Sequence, residues 1–183
     1  MKKTPAPRRP VRIQTARREA ESLVDQFGIN SVPIDVSRIA KGLGLEIVYS
    51  ELGEDVSGLL VTRDGASMVC VREGDPLVRQ RFTIAHEIGH FRLRHQFEAG
   101  ERVHVDEGWK VTARSNNRTV GIDPREVEAN QFAATLLMPS KLLSQRVSRL
   151  GAGRLNDDHV GELAREFRVS EQAMAIRLST LGL

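Results

Sequence analysis

His86, Glu87 and His90 form the sequence His-Glu-x-x-His, a spacing that can hold and use a metal ion. Residues four apart on a helix lie one turn apart on nearly the same face, so both imidazoles project to one side. Two neutral imidazoles held in this way can share a Zn²⁺ ion, which then needs a third protein ligand. Glu87 could act there as a general base on water. Two histidines on a core-facing helix can also be ordinary packed residues, so other features must decide.

A second helix further along the chain carries two candidate third ligands. Asp123 and Pro124 are typical of a helix N-cap and first helical position, and Pro139 predicts where the helix stops. Glu126 and Glu128 lie about 200° apart around this helix, so at most one of them can face the metal.

Glu126 is the preferred ligand because Asn130, four residues later, shares its face. Asn130 could then brace Glu126 or a ligand imidazole through a hydrogen bond. Glu128 would lie on the opposite face, in a surface ion pair. Either acid, taken alone, could equally be an exposed helix carboxylate of little energetic weight.

The two segments together resemble the ImmA/IrrE family of zinc metallopeptidases. The shared patterns are Arg-Phe-Thr-x-Ala-His-Glu-x-Gly-His at residues 81–90 and Glu-x-Glu-Ala-Asn-x-Phe-Ala-x-x-Leu-Leu-Met-Pro at residues 126–139. The resemblance, which covers residues 30–145, implies a zincin-like core with Zn²⁺ held by His86, His90 and Glu126. Mn²⁺ or Fe²⁺ can also occupy a site of two histidines and one carboxylate.

The resemblance also implies a function: site-specific cleavage of a helix-turn-helix transcriptional repressor in stress response, or in the control of phage or mobile-element genes. The alternative is a non-proteolytic, toxin-like or regulatory protein that binds a cognate repressor or DNA. Glu87 favours the enzyme, because a pure binding module needs no general base.

An oxyanion donor is usually needed as well, and the candidates are His95, His104, Arg114 or a backbone N–H of the cleft, among which the sequence does not choose. His95 follows His90 by five residues and is expected on a different face of the helix, so we leave it out of the metal shell.

The hydrophobic pattern predicts an α+β fold, mostly helical, with a small antiparallel three-stranded sheet before the motif helix. Residues 98–123 are polar and are predicted to be a loop that forms one wall of a substrate cleft, with Trp109 as an anchor. The predicted strands are residues 45–49, 57–62 and 67–72, and the predicted helices are residues 13–27, a short helix capped by Asp35, and residues 76–97, 124–138 and 140–148.

The C-terminal segment resembles a helix-turn-helix, with Ser170 as N-cap of its second helix. That helix could recognise DNA, or both helices could pack as an end module that recognises the substrate protein. DNA binding is not favoured, because Arg177 is the only basic residue of the second helix and Glu171 lies near its start.

Composition sets the remaining limits. The net charge of +3 comes from residues 1–18, which hold seven basic residues and no acidic one and leave 20 basic and 24 acidic residues in the rest. We therefore predict a basic disordered arm (1–12), a metallopeptidase domain (13–150) and a C-terminal helical module (151–183).

Aromatic residues make up 4% of the chain, too few for a surface that stacks single-stranded nucleic acid. Lone Cys70 and the lack of a long apolar stretch predict a cytoplasmic protein outside the membrane.

Overall fold

The computed structural model describes residues 10–53, 56–63, 66–95, 110–113, 123–151 and 155–183. Within these ranges the fold is α+β, with seven helices and one four-stranded sheet. The elements in chain order are α1 Ile13–Gln26, α2 Val36–Gly42, β1 Leu45–Ser50, β2 Gly58–Arg63, β3 Ala66–Arg72, α3 Leu77–Arg92, β4 Lys110–Ala113, α4 Pro124–Leu137, α5 Ser140–Arg149, α6 Asp157–Phe167 and α7 Glu171–Leu181.

The sheet is mixed, so the prediction of an antiparallel sheet is wrong in part. Its strand order is β1-β3-β2-β4, with β1 parallel to β3 and with β2 antiparallel to both β3 and β4. β3 carries the fully buried Val69 and Val71 and takes an inner position, which separates β1 from β2. β4 falls within residues 98–123, which the sequence analysis assigned to a loop; Trp109 and most of that segment lie outside the described residues.

α3 ends at Arg92, earlier than the predicted end at residue 97. Leu93 is the C-cap, and Arg94 takes a left-handed conformation with φ of 52°. The chain therefore turns back, and the His95 backbone N–H donates to the carbonyl of His90 at 3.0 Å. The sequence prediction continued the helix to residue 97, so it placed His95 on a different face from the one it occupies.

α4 begins at the predicted residue and ends one residue before the predicted end. The Asp123 side chain accepts a hydrogen bond from the Arg125 backbone N–H at 2.8 Å, with Pro124 as the first helical residue. The helix stops at Leu137, two residues before Pro139.

One hydrophobic core joins the helices and the inner face of the sheet. Phe132 of α4 is fully buried there, together with Ile88 of α3 and Leu23 of α1. Phe167 of α6 and Met174 of α7 belong to the same core, so the C-terminal helices pack onto the rest of the described chain. No helix in the described ranges is both long enough and apolar enough to cross a membrane.

Gly89 allows α3 and α4 to approach closely. A Cβ atom added at Gly89 would lie 3.0 Å from Cδ1 of Phe132 and 3.2 Å from its Cβ. Gly89 lies between His86 and His90 in α3, so the spacing of the two helices also sets the spacing of the candidate ligands.

Replacing Gly89 with Val should lower the free energy of unfolding by about 1–3 kcal/mol, because the added methyl groups overpack the contact with Phe132. Urea denaturation of the metal-free protein measures this change. The control is Gly74→Val, since a Cβ at Gly74 meets no atom within 4 Å. Equal stability losses in the two variants would contradict the close-packing interpretation.

Candidate metal centre

α3 and α4 bring two imidazoles and one carboxylate to a common point. Nε2 of His86 lies 2.7 Å from Nε2 of His90. Oε2 of Glu126 lies 3.4 Å from Nε2 of His86, and Oε1 of Glu126 lies 3.2 Å from Nε2 of His90. Among the described residues these three form the one group whose ligand atoms suit a metal ion, all within 4.8 Å of one another.

The centre lies at the edge of the core with one open side. His86, His90 and Glu87 are buried, whereas the Glu126 side chain is 29% exposed. Burial raises the pKa of Glu126, but hydrogen bonds and positive charge from the protonated forms of His86 and His90, the forms present without a metal ion, hold that pKa well below the usual range of a glutamate. Glu126 is therefore an ionised carboxylate, the form that binds a cation.

Asn130 contacts the other ring nitrogen of His86. Its Oδ1 lies 2.8 Å from Nδ1 of His86. An amide oxygen only accepts hydrogen bonds, so Nδ1 of His86 carries the hydrogen and its Nε2 is left towards Glu126. Asn130 is therefore within hydrogen-bond distance of the imidazole that it was predicted to hold in place.

His90 has a different partner on its second nitrogen, one that the sequence analysis missed. Nδ1 of His95 lies 2.9 Å from Nδ1 of His90, and Nε2 of His95 lies 3.1 Å from Oε2 of Glu128. The expectation that Glu128 forms a surface ion pair is wrong, because its side chain is fully buried. His95 is also no free oxyanion donor; His104 and Arg114 lie outside the described residues.

Arg12, near the N-terminus, is the third member of the group that Glu128 and His95 form. Its backbone N–H donates to Oε1 of Glu128 at 2.9 Å, and its Nη2 donates to Oε2 at 3.0 Å. Burial raises the pKa of Glu128, but the hydrogen bonds from Arg12 and His95 outweigh it and lower the pKa to about 2. A contact across 116 positions leaves no local pattern by which the sequence could reveal it. Arg12 is the last residue of the predicted arm, of which residues 1–9 lie outside the described ranges.

Glu87 lies between α3 and the sheet. A Cβ atom at Gly58 of β2 would lie 2.2 Å from Thr83 and 3.6 Å from Oε1 of Glu87, so the strand passes directly beside this carboxylate. Burial and the negative charge of Glu87 raise the pKa of Cys70 on the neighbouring strand β3. The sheet therefore forms one wall next to the predicted general base.

A cavity of about 430 Å³ opens beside the centre, between α4 and α7. Asn130 lines it, and so does Phe82, whose ring centroid lies 6.2 Å from that of His86. The opposite wall includes Ala173 and Ile176 of α7, and Ile176 is 60% exposed. The C-terminal helix thus reaches the neighbourhood of the candidate metal ligands.

Arg177 of α7 faces the interior. It is 4% exposed, and its Nε donates to the carbonyl of Met138 at 3.0 Å. Because Arg177 is the only basic residue of α7, this helix presents no exposed cation to a nucleic acid phosphate.

Comparison with known proteins identifies the family of this chain. The family model Peptidase_M78, described as the IrrE N-terminal-like domain, matches residues 40–179. The chain belongs to this family. The match includes α3, α4, α6 and all but the last two residues of α7, so the candidate centre lies within the Peptidase_M78 region.

A solved structure has the same fold at low sequence identity. It is a Mycobacterium tuberculosis transcriptional regulator, which matches with a TM-score of 0.57 and 14% identity over 91% of this chain. The matched region is 46% of that regulator, so this chain spans about half of its length. No curated protein matches the sequence significantly.

Replacing Arg12 with Met should destabilise this Peptidase_M78 protein by about 1–3 kcal/mol, because Glu128 stays buried after losing its cationic donors. Thermal and urea unfolding in the presence of a chelator measure the change without a metal contribution. Arg92→Met is the matched control, since Arg92 and its partner Glu19 are each about a third exposed and such pairs contribute roughly 1 kcal/mol or less. A smaller loss for Arg12→Met than for Arg92→Met would contradict this assignment.

Proposed function

We propose that this protein is a zinc-dependent endopeptidase in which His86, His90 and Glu126 hold the metal and Glu87 is the general base. The observation that carries the proposal is the convergence of two Nε2 atoms and one ionised carboxylate at distances of 2.7–3.4 Å. When Nδ1 carries the hydrogen on two neutral rings, the three facing groups are all hydrogen-bond acceptors, so a cation among them is favoured: a proton in the metal-free protein, or a metal ion that replaces it.

The donor set fits zinc. Zinc bonds of about 2.0–2.2 Å to nitrogen and oxygen place tetrahedral ligands roughly 3.3 Å apart. The two distances from Glu126 to the imidazoles are close to this value, and the two imidazoles, 2.7 Å apart, would have to separate by about half an ångström. Two imidazoles and a carboxylate are a common catalytic zinc set, whereas Mn²⁺ prefers more oxygen ligands. Bound zinc would supply Lewis acidity towards a peptide carbonyl and make water a better nucleophile at neutral pH.

The protein's own groups provide the proton transfers. Glu87 follows His86 directly on α3, and its buried position beside β2 keeps the carboxylate partly shielded from bulk water. It takes the proton of the attacking water and then returns it to the amine that leaves when the peptide bond breaks. Asn130 holds the His86 ring in the tautomer that directs Nε2 to the metal.

The proposed substrate is a protein, and the family resemblance points to a helix-turn-helix transcriptional repressor that is cut at one site. The cavity between α4 and α7 supports a peptide substrate, because it is large enough for an apolar side chain and is lined by Phe82 and Asn130, two neighbours of His86. In this proposal the metallopeptidase core is zincin-like, and the C-terminal helices help to recognise the substrate. Buried Arg177 argues against DNA as the ligand of α7. Cleavage of a repressor would take place in the cytoplasm, where the lone Cys70 stays reduced.

The decisive variant is Glu87→Gln, which keeps the ligands but removes the base. Wild type and Glu87→Gln should each bind close to one zinc per chain by elemental analysis, whereas His86→Ala and Glu126→Ala should lose it. Incubated with a lysate of the source organism, zinc-loaded wild type should create new protein N-termini that Glu87→Gln does not, because proton transfer by such a group contributes about 10²–10⁴-fold to the rate.

Glu19→Gln serves as the control, since it removes a carboxylate that pairs with Arg92 and lies outside the proposed centre. It should retain zinc and cleavage. Identical N-terminal profiles for wild type and Glu87→Gln would overturn the peptidase proposal, and binding of a repressor without cleavage would then support the non-proteolytic class. Wild type that takes up no zinc would overturn the metal site itself.

A further inference from the structure

We propose that Glu128 and His95 form a buried positioning chain that orients the ligand His90, and that Arg12 anchors this chain. The inference rests on the proposed metal site and assigns roles to three residues outside it. The hydrogen bonds that link Glu128 and His95 reach Nδ1 of His90, whereas Nε2 of the same ring faces the point where the three proposed ligands converge.

The hydrogen bonds have one consistent direction. The carboxylate of Glu128 accepts, so Nε2 of His95 carries a hydrogen and donates to Oε2 at 3.1 Å. In a neutral His95 ring, Nδ1 is then an acceptor, and the 2.9 Å contact requires a hydrogen on Nδ1 of His90. This leaves the lone pair of His90 Nε2 pointing towards Glu126, the state that a metal ligand requires.

Burying a charged carboxylate costs free energy unless hydrogen bonds and opposite charges compensate it. The side chains of Glu128 and His95 are both 0% exposed. A charge so far from water needs several partners, and Glu128 has them: the backbone and guanidinium groups of Arg12 on one side and the His95 ring on the other. The partners fix the carboxylate in place, and the carboxylate in turn fixes His95.

The two ligand imidazoles are supported unequally. His86 is braced by the neutral amide of Asn130, an exposed residue. His90 is instead connected through His95 to a buried negative charge, which both limits rotation of its ring and increases the electron-donating strength of Nε2. Groups of this kind typically contribute 10–100-fold to metal affinity. We therefore expect that removing the hydrogen bonds between Glu128, His95 and His90 weakens zinc binding, although all three proposed ligands remain.

The test measures zinc affinity by competition with a chromophoric chelator for wild type, Glu128→Gln, His95→Phe and the double variant. Each single variant should bind zinc about 10–100-fold more weakly. Because Glu128 is proposed to act through His95, the double variant should bind no more than about 3-fold more weakly than His95→Phe alone, well short of additive effects. Glu128→Gln conserves shape, so it provides the result if His95→Phe does not fold.

Absorption bands of bound Co²⁺ separate positioning from general stability, since they report ligand geometry at the ion. The bands should shift in Glu128→Gln and His95→Phe. They should keep their wild-type positions in Glu19→Gln, which breaks a contact between α1 and α3 that involves none of these residues.

Two outcomes would overturn the inference alone: wild-type zinc affinity and Co²⁺ bands in folded Glu128→Gln, or fully additive effects in the double variant. Wild type that binds neither Zn²⁺ nor Co²⁺ would overturn the proposed function and this inference with it. Weaker zinc binding with non-additive coupling would support the positioning chain whether or not a protein substrate has been found.

Discussion

The contact between Gly89 and Phe132 sets how closely α3 and α4 can pack, and the candidate centre depends on that distance. Gly89 lies between His86 and His90 on one helix, and Phe132 lies on the helix that carries Glu126 and Asn130. Because any side chain at Gly89 would push against the Phe132 ring, the missing Cβ keeps the two helices near enough for a carboxylate to reach both imidazoles. Hydrophobic packing therefore positions the polar site.

The polar groups around the two histidines then form layers of increasing burial. Glu126 meets the rings on the open side, and Glu128 lies on the fully buried side, behind His95. The two glutamates are two residues apart on one helix, so a single helix supplies both the proposed ligand and the buried end of the hydrogen-bonded chain. The N-terminal segment takes part because Arg12 neutralises Glu128, which ties the start of α1 to the metal-facing helices.

The parts that the sequence predicted well depend on local rules. The N-cap at Asp123, the stop before Pro139 and the shared face of His86 and His90 follow from interactions within one or two helical turns. The helical angle between Glu126 and Glu128 allowed only one of them to face the metal, and Asn130 on the same face favoured Glu126. The structure places Glu126 against both histidines. The roles of these residues as ligands, of Glu87 as base and of Asn130 as support stay predictions.

The parts that the sequence did not predict depend on long-range contacts or on a single backbone angle. Arg94 turns the chain at the end of α3 and brings His95 back to His90, although helical spacing points His95 elsewhere. The burial of Glu128 depends on Arg12, far away in sequence. The parallel pairing of β1 with β3 depends on which strand occupies the inside of the sheet, which strand patterns alone do not determine.

The most direct test of the central claim is a crystal structure of the zinc-loaded protein with anomalous diffraction data collected at the zinc absorption edge. The account predicts one anomalous peak, at about 2.0–2.2 Å from Nε2 of His86, Nε2 of His90 and a carboxylate oxygen of Glu126. A peak bound by other side chains, or the absence of any peak between α3 and α4 in protein that retains zinc, would contradict it.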